Sequence, residues 1–271
     1  MNTQTIQKPK AMYPELKDKV AVVTGAGSGI GRATALALAA QGVKVGLLDL
    51  KDSRTEQVKS EIEALNAEVL TADVDVSDPD RVREAIESVA KKWGKVDIVF
   101  ANAGINGVLA PIETMNPDEW DHTLTTNLKG TFLTVKYAIP YMKEQGGSII
   151  VTSSINGNRV FSNFGMSAYS TSKAGQMAFA KMAALELARY KIRVNVICPG
   201  SIQTHISEST HPTPDLQKIK IPVKYPEGNQ PLEHAPGQPE QVGDLVTFLA
   251  SSASSHITGT ELFIDGAESL I

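Results

Sequence analysis

The chain has 271 residues, 42% of them hydrophobic and 21% charged, which suits a soluble α/β core and excludes a largely disordered chain. A formal net charge of −4, without any clustered Lys/Arg run, excludes the basic field that nucleic-acid binding needs. No span approaches the roughly 20 apolar residues of a membrane helix, the N-terminal stretch lacks the apolar centre of a secretory signal, and the single cysteine, Cys198, excludes an internal disulfide framework. The expectation is a cytoplasmic protein with neither a membrane nor a nucleic acid as partner.

Residues 1–15 read as a flexible arm, charged and proline-containing. From residue 16 to the end, short Val/Ile-rich runs alternate with amphipathic stretches, the mark of βαβ units in a parallel sheet. The strand runs begin at Val20, Val43, Ala67, Val96, Ser148, Ile192 and Glu261. Their unbroken apolarity means that both faces are covered, as helices on either side of a parallel sheet would do. The helix ends are also legible. Gly42 closes the first helix, Asp78-Pro79 and Asn116-Pro117 each set a capping residue before a first-turn proline, and Gln238-Pro239 opens a late helix. These units predict a single Rossmann-type, doubly wound parallel sheet over 16–271. One segment interrupts the rhythm: residues 203–236 contain Pro212, Pro214, Pro222, Pro226, Pro231, Pro236 and Gly228. So long an irregular stretch within a compact domain reads as a substrate lid.

Directly after the first strand comes Thr24-Gly25-Ala26-Gly27-Ser28-Gly29-Ile30-Gly31, and a helix follows at once. Glycines here permit a tight turn and let the backbone approach a pyrophosphate seated on the partly positive helix start. A Walker loop would need Lys-Ser/Thr after its last glycine, whereas Arg32-Ala33 stand there. Asp49 ends the second strand 24 residues past Gly25, close to the roughly 20 expected of a ribose-binding acid. A carboxylate there accepts hydrogen bonds from the adenine ribose and repels the extra phosphate of NADP, so NAD is the expected cofactor. Leu50 follows in place of an arginine, and Ser28 stands where a basic residue would favour NADP. Lys51 and Arg54 are the nearest cations that could permit it.

Further on, Tyr169-Ser170-Thr171-Ser172-Lys173 opens a long helix. The i, i+4 separation places phenol and ammonium on one face. A tyrosine titrates near 10, so ionising it at neutrality needs about 3 units, roughly 4 kcal/mol. A neighbouring cation supplies about 1 to 3 of these. The five histidines show no ligand-like spacing with one another or with cysteine, so no metal site is expected. Cys198, before a proline at a strand end, reads as a small buried hydrophobe. Trp93 and Trp120 read as packing residues.

Taken in order, these segments resemble the short-chain dehydrogenase/reductase family over roughly residues 16 to 268. Gly25, Ser28, Gly29, Ile30 and Gly31 match its coenzyme loop, Asp75-Val76 its adenine-contacting pair, and Asn102-Ala103-Gly104 the turn after the fourth strand. Asn127 matches its active-site asparagine, Ser154 its serine, and Tyr169 with Lys173 its signature pair. Pro199-Gly200, with Ile202 and Thr204, resembles the segment that holds the nicotinamide. Two features depart from the family: Ala101 stands where a first asparagine is usual, and the interval from Ser154 to Tyr169 is longer than usual. Residues 159–166 therefore read as an enlarged loop, whose Phe161, Phe164 and Met166 either line the substrate pocket or pack on the surface.

The resemblance implies hydride transfer between NAD(H) and a secondary alcohol or ketone. Tyr169 would be the acid/base, Ser154 the group on the substrate oxygen, and Lys173 the partner of both the phenol and the nicotinamide ribose. Asn127 would hold a relay water. It also implies a homo-oligomer, commonly a tetramer. Two other readings remain: an NADPH-dependent 3-oxoacyl thioester reductase, and a non-catalytic nucleotide-binding scaffold on the same fold.

Overall fold

The computed structural model describes residues 11–50, 52–223, 225 and 228–271, with Asp52 described in its backbone only. The strands are β1 (Val20–Thr24), β2 (Lys44–Asp49), β3 (Val69–Asp73), β4 (Ile98–Ala101), β5 (Gly107–Leu109), β6 (Gly147–Thr152), β7 (Ile192–Pro199), β8 (Thr210–Pro212) and β9 (Glu261–Ile264). The helices are α1 (Gly29–Ala39), α2 (Asp52–Glu63), α3 (Pro79–Trp93), α4 (Pro117–Leu124), α5 (Gly130–Ala138), α6 (Ser167–Leu187) and α7 (Pro239–Ala250). Seven strands form one parallel sheet in the order β3-β2-β1-β4-β6-β7-β9, and each contains one of the seven runs marked in the sequence.

Continuous apolarity has the predicted cause. All five residues of β1 are buried, because helices cover both sheet faces. On one face, Val82, Ile86 and Val89 of α3 join Leu133 of α5 and Met177, Ala180 and Leu187 of α6. On the other, Leu38 of α1, Val58 and Ile62 of α2 and Val242, Val246 and Leu249 of α7 pack on Val23, Leu47 and Phe100. Each such Val, Leu or Ile contributes about 1.5 to 3 kcal/mol by leaving water. The caps form as expected: Asp78 accepts from the Asp80 and Arg81 amides, Asn116 from the Asp118 amide, and the Gln238 amide donates to Gln241 Oε1.

Strand order positions the site. β1 is paired on one side with β2, from Val20 opposite Lys44 to Thr24 opposite Leu48. On its other side it pairs with β4, from Ala21 opposite Ile98 to Val23 opposite Phe100. The winding direction reverses between β1 and β4, so their C-terminal loops diverge and leave a crevice, the position where open α/β sheets bind ligands.

Two expectations need correction. Residues 11–15 of the supposed arm are docked: the Tyr13 amide donates to Gln41 Oε1, Gln41 Nε2 donates to the Ala11 carbonyl, and Glu15 accepts from both the amide and hydroxyl of Ser252. Those hydrogen bonds hold it on the α7 side of the sheet. Residues 1–10 lie outside the described residues. The 203–236 segment is not structureless either. It contains 3-10 turns at Ile206–Ser209 and Pro214–Ile219, and β8, which pairs in parallel with β5 at Gly107 opposite Thr210 through Leu109 opposite Pro212. Prolines bar regular helix here, but one short strand and 3-10 turns tolerate them.

Candidate active site

The turn after β1 closes tightly onto α1. Gly25 has φ +64°, and a Cβ on Gly31 would collide with the Gly25 carbonyl oxygen, so both positions require glycine. Ser28 sits at the N-cap of α1 without a side-chain capping bond, and Ile30 follows in the first turn. First-turn amides that no side chain caps are the donors an anion would use. These residues fit a dinucleotide pyrophosphate: the backbone is bare where it must approach, and the helix end is positive.

Asp49 lies beside this turn, with Oδ2 accepting from the Gly27 amide at 2.8 Å. Leu50, next along, is 61% exposed. Asp75 is exposed and accepts from the Ser77 amide, whereas Val76 is buried against Gly130. Lys51 is outside the described residues. Asn102 is fixed by Thr24, whose Oγ1 accepts from the amides of Asn102 and Ala103 and whose carbonyl accepts from Asn102 Nδ2. Thr152 adds a hydrogen bond to Asn102 Oδ1. The turns after β1, β4 and β6 are thereby tied together. Gly104 is exposed in this cleft.

On the opposite wall, Pro199 ends β7 and the Gly200 amide donates to the Ile264 carbonyl. Ile202 bridges to Gly237, and Thr204 comes close to Gly29, 3.1 Å from where a Cβ would stand. The Pro199–Thr204 segment therefore crosses the cleft to the glycine turn.

Between the two walls stand the candidate catalytic groups. Tyr169 and Lys173 are both buried, one turn apart on α6, with Lys173 Nζ 5.5 Å from the Tyr169 ring centre. The Lys173 ammonium donates to the Thr152 carbonyl at 2.9 Å and lies near Gly104, whose missing Cβ would be 3.5 Å away. Ser154, at the end of β6, hydrogen-bonds the Tyr169 side chain and accepts from the Asn156 amide. Its neighbour Ser153 points elsewhere, donating to the Lys173 carbonyl at 2.8 Å. The longer Ser154–Tyr169 interval is taken up in the following loop, so hydroxyl and phenol still meet. In that loop Phe161 is 69% exposed, while Met166 Sδ approaches Asn156 Nδ2.

Asn127 lies in a π-helical turn, Thr125–Lys129, between α4 and α5. Such a turn makes room for one extra residue and is common at functional sites. The Asn127 amide makes three hydrogen bonds: Oδ1 accepts from the Ile105 amide, and Nδ2 donates to the Ile105 carbonyl and to Ser172 Oγ. Ser172 in turn donates to the Tyr169 carbonyl at 2.7 Å. Asn127 thus braces the first turn of α6. Thr24, which opens the glycine motif, and Thr152 and Ser172, to which the sequence assigns no role, hold the named residues in place. Only their adjacency to the motifs could have marked them.

The electrostatics depart from the expectation in one respect. Burial raises the Tyr169 pKa, with the Ser154 hydrogen bond pulling the other way, and burial lowers Lys173 to about 8. Both groups are driven toward their neutral forms, because removing a charge from water outweighs one cation 5.5 Å from the ring. Cys198 is buried and pushed up to about 12, which agrees with its reading as an inert hydrophobe. Among the described residues no group of three or more His, Cys, Asp or Glu could hold a metal, and no helix is long and apolar enough to cross a membrane.

The comparisons with known proteins agree with this geometry. A family model described as enoyl-(acyl carrier protein) reductase matches residues 25–267. The 3-oxoacyl-[acyl-carrier-protein] reductase FabG of Thermotoga maritima is 37% identical over 252 residues, covering 93% of this chain and 98% of that protein. The crystal structure of a 3-ketoacyl-ACP reductase from Sinorhizobium meliloti superposes with a TM-score of 0.88 at 46% identity, covering 93% of this chain and 99% of the other. That of the 3-ketoacyl-(acyl-carrier-protein) reductase of Brucella melitensis, complexed with NADH, gives 0.82 at 30% identity, covering 94% and 99%. With a glycine turn at the sheet's switch point and a serine, tyrosine and lysine gathered across the cleft from it, this chain belongs to the short-chain dehydrogenase/reductase family.

Proposed function

We propose that the protein is an NAD(H)-dependent oxidoreductase that interconverts a secondary alcohol and a ketone, with Tyr169 as acid/base. The convergence of Ser154, Tyr169 and Lys173 on a cleft whose far wall is the glycine turn carries this reading. The nicotinamide dinucleotide, when bound, supplies or accepts the hydride. Gly25, Ser28, Gly29, Ile30 and Gly31 would hold its pyrophosphate, Asp49 and Leu50 its adenine ribose, and Asp75 and Val76 its adenine. Asn102, Ala103, Gly104, Pro199, Gly200, Ile202 and Thr204 would enclose the nicotinamide half.

Tyr169 gives its hydroxyl proton to the substrate oxygen during reduction and takes it back during oxidation. Ser154 hydrogen-bonds the same oxygen and stabilises charge gathering on it. Lys173, protonated below about pH 8, stabilises the phenolate left behind and reaches toward the nicotinamide ribose. Asn127, with its side chain bonded to Ile105 and Ser172, acts as a positioning residue for α6. A relay water held by Asn127 would use the second lone pair of Oδ1, since both Nδ2 hydrogens are engaged.

A cofactor choice of NAD over NADP rests on Asp49, whose carboxylate repels a 2′-phosphate. The relatives favour a second reading of the substrate, a 3-oxoacyl thioester, itself a ketone. The intact catalytic set opposes a non-catalytic scaffold. Cytoplasmic residence and assembly into a homo-oligomer, a tetramer by the family resemblance, complete the proposal. The exposed Phe132, Met182 and Leu185 on α5 and α6 support assembly with further copies of this chain, which sedimentation velocity would measure. The main test is an initial-rate screen with NAD and NADP over a panel of secondary alcohols, and with NADH and NADPH over ketones including a 3-oxoacyl thioester. Turnover with NAD(H) is expected, and a strong preference for NADP(H) would overturn the cofactor assignment.

A further inference from the structure

Two arginines close to the glycine turn are both held by carboxylates. Arg32, next after Gly31, donates from Nε and Nη2 to Glu61 of α2, each at 2.9 Å. Arg54, in the first turn of α2, donates from Nη2 to both oxygens of Glu208, at 3.0 and 2.7 Å. Glu208 belongs to the 3-10 turn Ile206–Ser209 in the lid, so this pair joins distant parts of the chain across the adenosine end of the cleft.

The stem of Arg54 lies beside Asp49. A Cβ on Gly27 would stand 3.1 Å from Arg54 Cβ and 3.2 Å from Asp49 Cγ, and the Gly27 amide already binds Asp49. The Asp49 carboxylate and the stem of Arg54 therefore flank the same residue of the turn, while the guanidinium extends to Glu208. A phosphate ester on the adenine ribose carries about −1.5 to −2 charge and is best met by an arginine fork. Among the described residues near Asp49, Arg54 is the cation placed to meet it, and its guanidinium is engaged by Glu208. The pair is partly exposed, with side chains 34% and 47% accessible, so it adds little to stability. Its consequence lies in what the guanidinium is free to bind.

We propose that Glu208 is a specificity-determining residue for the cofactor: by holding Arg54 it withholds from a 2′-phosphate a guanidinium whose stem is rooted beside Asp49. Asp49 supplies repulsion and Glu208 removes a source of attraction, so discrimination comes from two carboxylates on opposite walls. This rests on the NAD(H) reading above.

The test is a double-mutant cycle read by equilibrium binding. Dissociation constants of NADH and NADPH are measured by cofactor fluorescence for the wild type, Glu208→Gln, Arg54→Gln and the double variant, with Glu61→Gln as the control that frees Arg32 instead. Glu208→Gln should tighten NADPH about three- to tenfold and change NADH less than about twofold. The gain should vanish when Arg54 is also replaced, and Glu61→Gln should move neither cofactor. NADPH binding that does not respond to Glu208→Gln overturns the proposal, as does an equal gain without Arg54 or with Glu61→Gln. The wild-type ratio is a separate readout: tighter NADPH than NADH there defeats the NAD reading, whereas the cycle reports whether Glu208 restrains Arg54.

Discussion

The two walls of the cleft are built differently. The wall carrying Gly25, Gly29, Gly31 and Asn102 is backbone folded closely on itself, with Thr24 binding the next turn over through its hydroxyl. The wall formed by residues 200–219 contains two 3-10 turns and one short strand, held by partners far away in sequence. The Thr213 amide binds the Leu109 carbonyl, Leu216 lies against Gly165, and Glu208 holds Arg54. The first wall is close-packed backbone, to which Asn102 comes from 78 residues beyond Thr24, and its chemistry is that of amides any dinucleotide would use. The second is where substrate and cofactor choice can vary without disturbing the sheet.

This contrast can be broken or sharpened by substitution, and the largest effect is expected at the junction of the walls. Tyr169→Phe removes the transferable proton but little volume. It should lower kcat by about 10²- to 10⁴-fold while NADH affinity, followed by fluorescence, stays within about twofold. Activity retained in this variant would mean that another acid/base exists.

Gly31→Ala comes next. Its Cβ would strike the Gly25 carbonyl oxygen, and rigid backbone cannot yield as a side chain can. Cofactor binding should weaken at least about tenfold, and stability should fall by about 1 to 3 kcal/mol in denaturant titration. Gly228→Ala in the 203–236 segment, with nothing near its missing Cβ, should cost only the strain of φ +84°, about 1 kcal/mol, and leave NADH binding unchanged. Equal effects of the two on cofactor affinity would erase the distinction between the walls.

Lys173→Met probes the buried ammonium. Burial lowers its pKa from 10.5 to about 8, so the folded state holds fewer protons than the unfolded state between those values. The ionised lysine therefore lowers stability below about pH 8, by about 3 kcal/mol before the Thr152 hydrogen bond offsets part of it. That cost is relieved as pH rises toward 10.5. The variant, though inactive, should be the more stable at pH 7, and its advantage should shrink between pH 8 and 10.5 in urea titrations. A constant difference across that range would show that the ammonium is not desolvated.

The smallest effect on turnover is expected at Leu216, a buried side chain of the 203–236 segment. Leu216→Ala should raise KM for the alcohol or ketone a few-fold and lower stability by about 2 to 5 kcal/mol, leaving NADH affinity intact, because it loosens one wall and leaves the other whole. A loss of NADH binding instead would mean that the two walls are one cooperative unit.

Much of the first wall was legible in the sequence, since a glycine at a positive φ, an N-cap before a proline and a tyrosine one turn from a lysine follow from chemistry within a few residues. The seven sheet strands could be located for the same reason: burial on both faces leaves an unbroken apolar run in each. Ser153 and Ser154 are adjacent in the sequence, but in the fold Ser153 donates to the Lys173 carbonyl whereas Ser154 acts on the phenol side chain. What the sequence by itself determined is therefore the parallel sheet, the glycine turn and the identity of the candidate side chains that the cleft gathers. The tertiary structure alone decided that residues 11–15 dock on Gln41 and Ser252, that the proline-rich segment pairs with β5, that Asn127 braces Ser172 from a π-helical turn, and that Arg54 is held by Glu208. Those contacts link residues remote along the chain, and burial, which sets the charge states of Tyr169 and Lys173, is a property of the packed whole that no local pattern encodes.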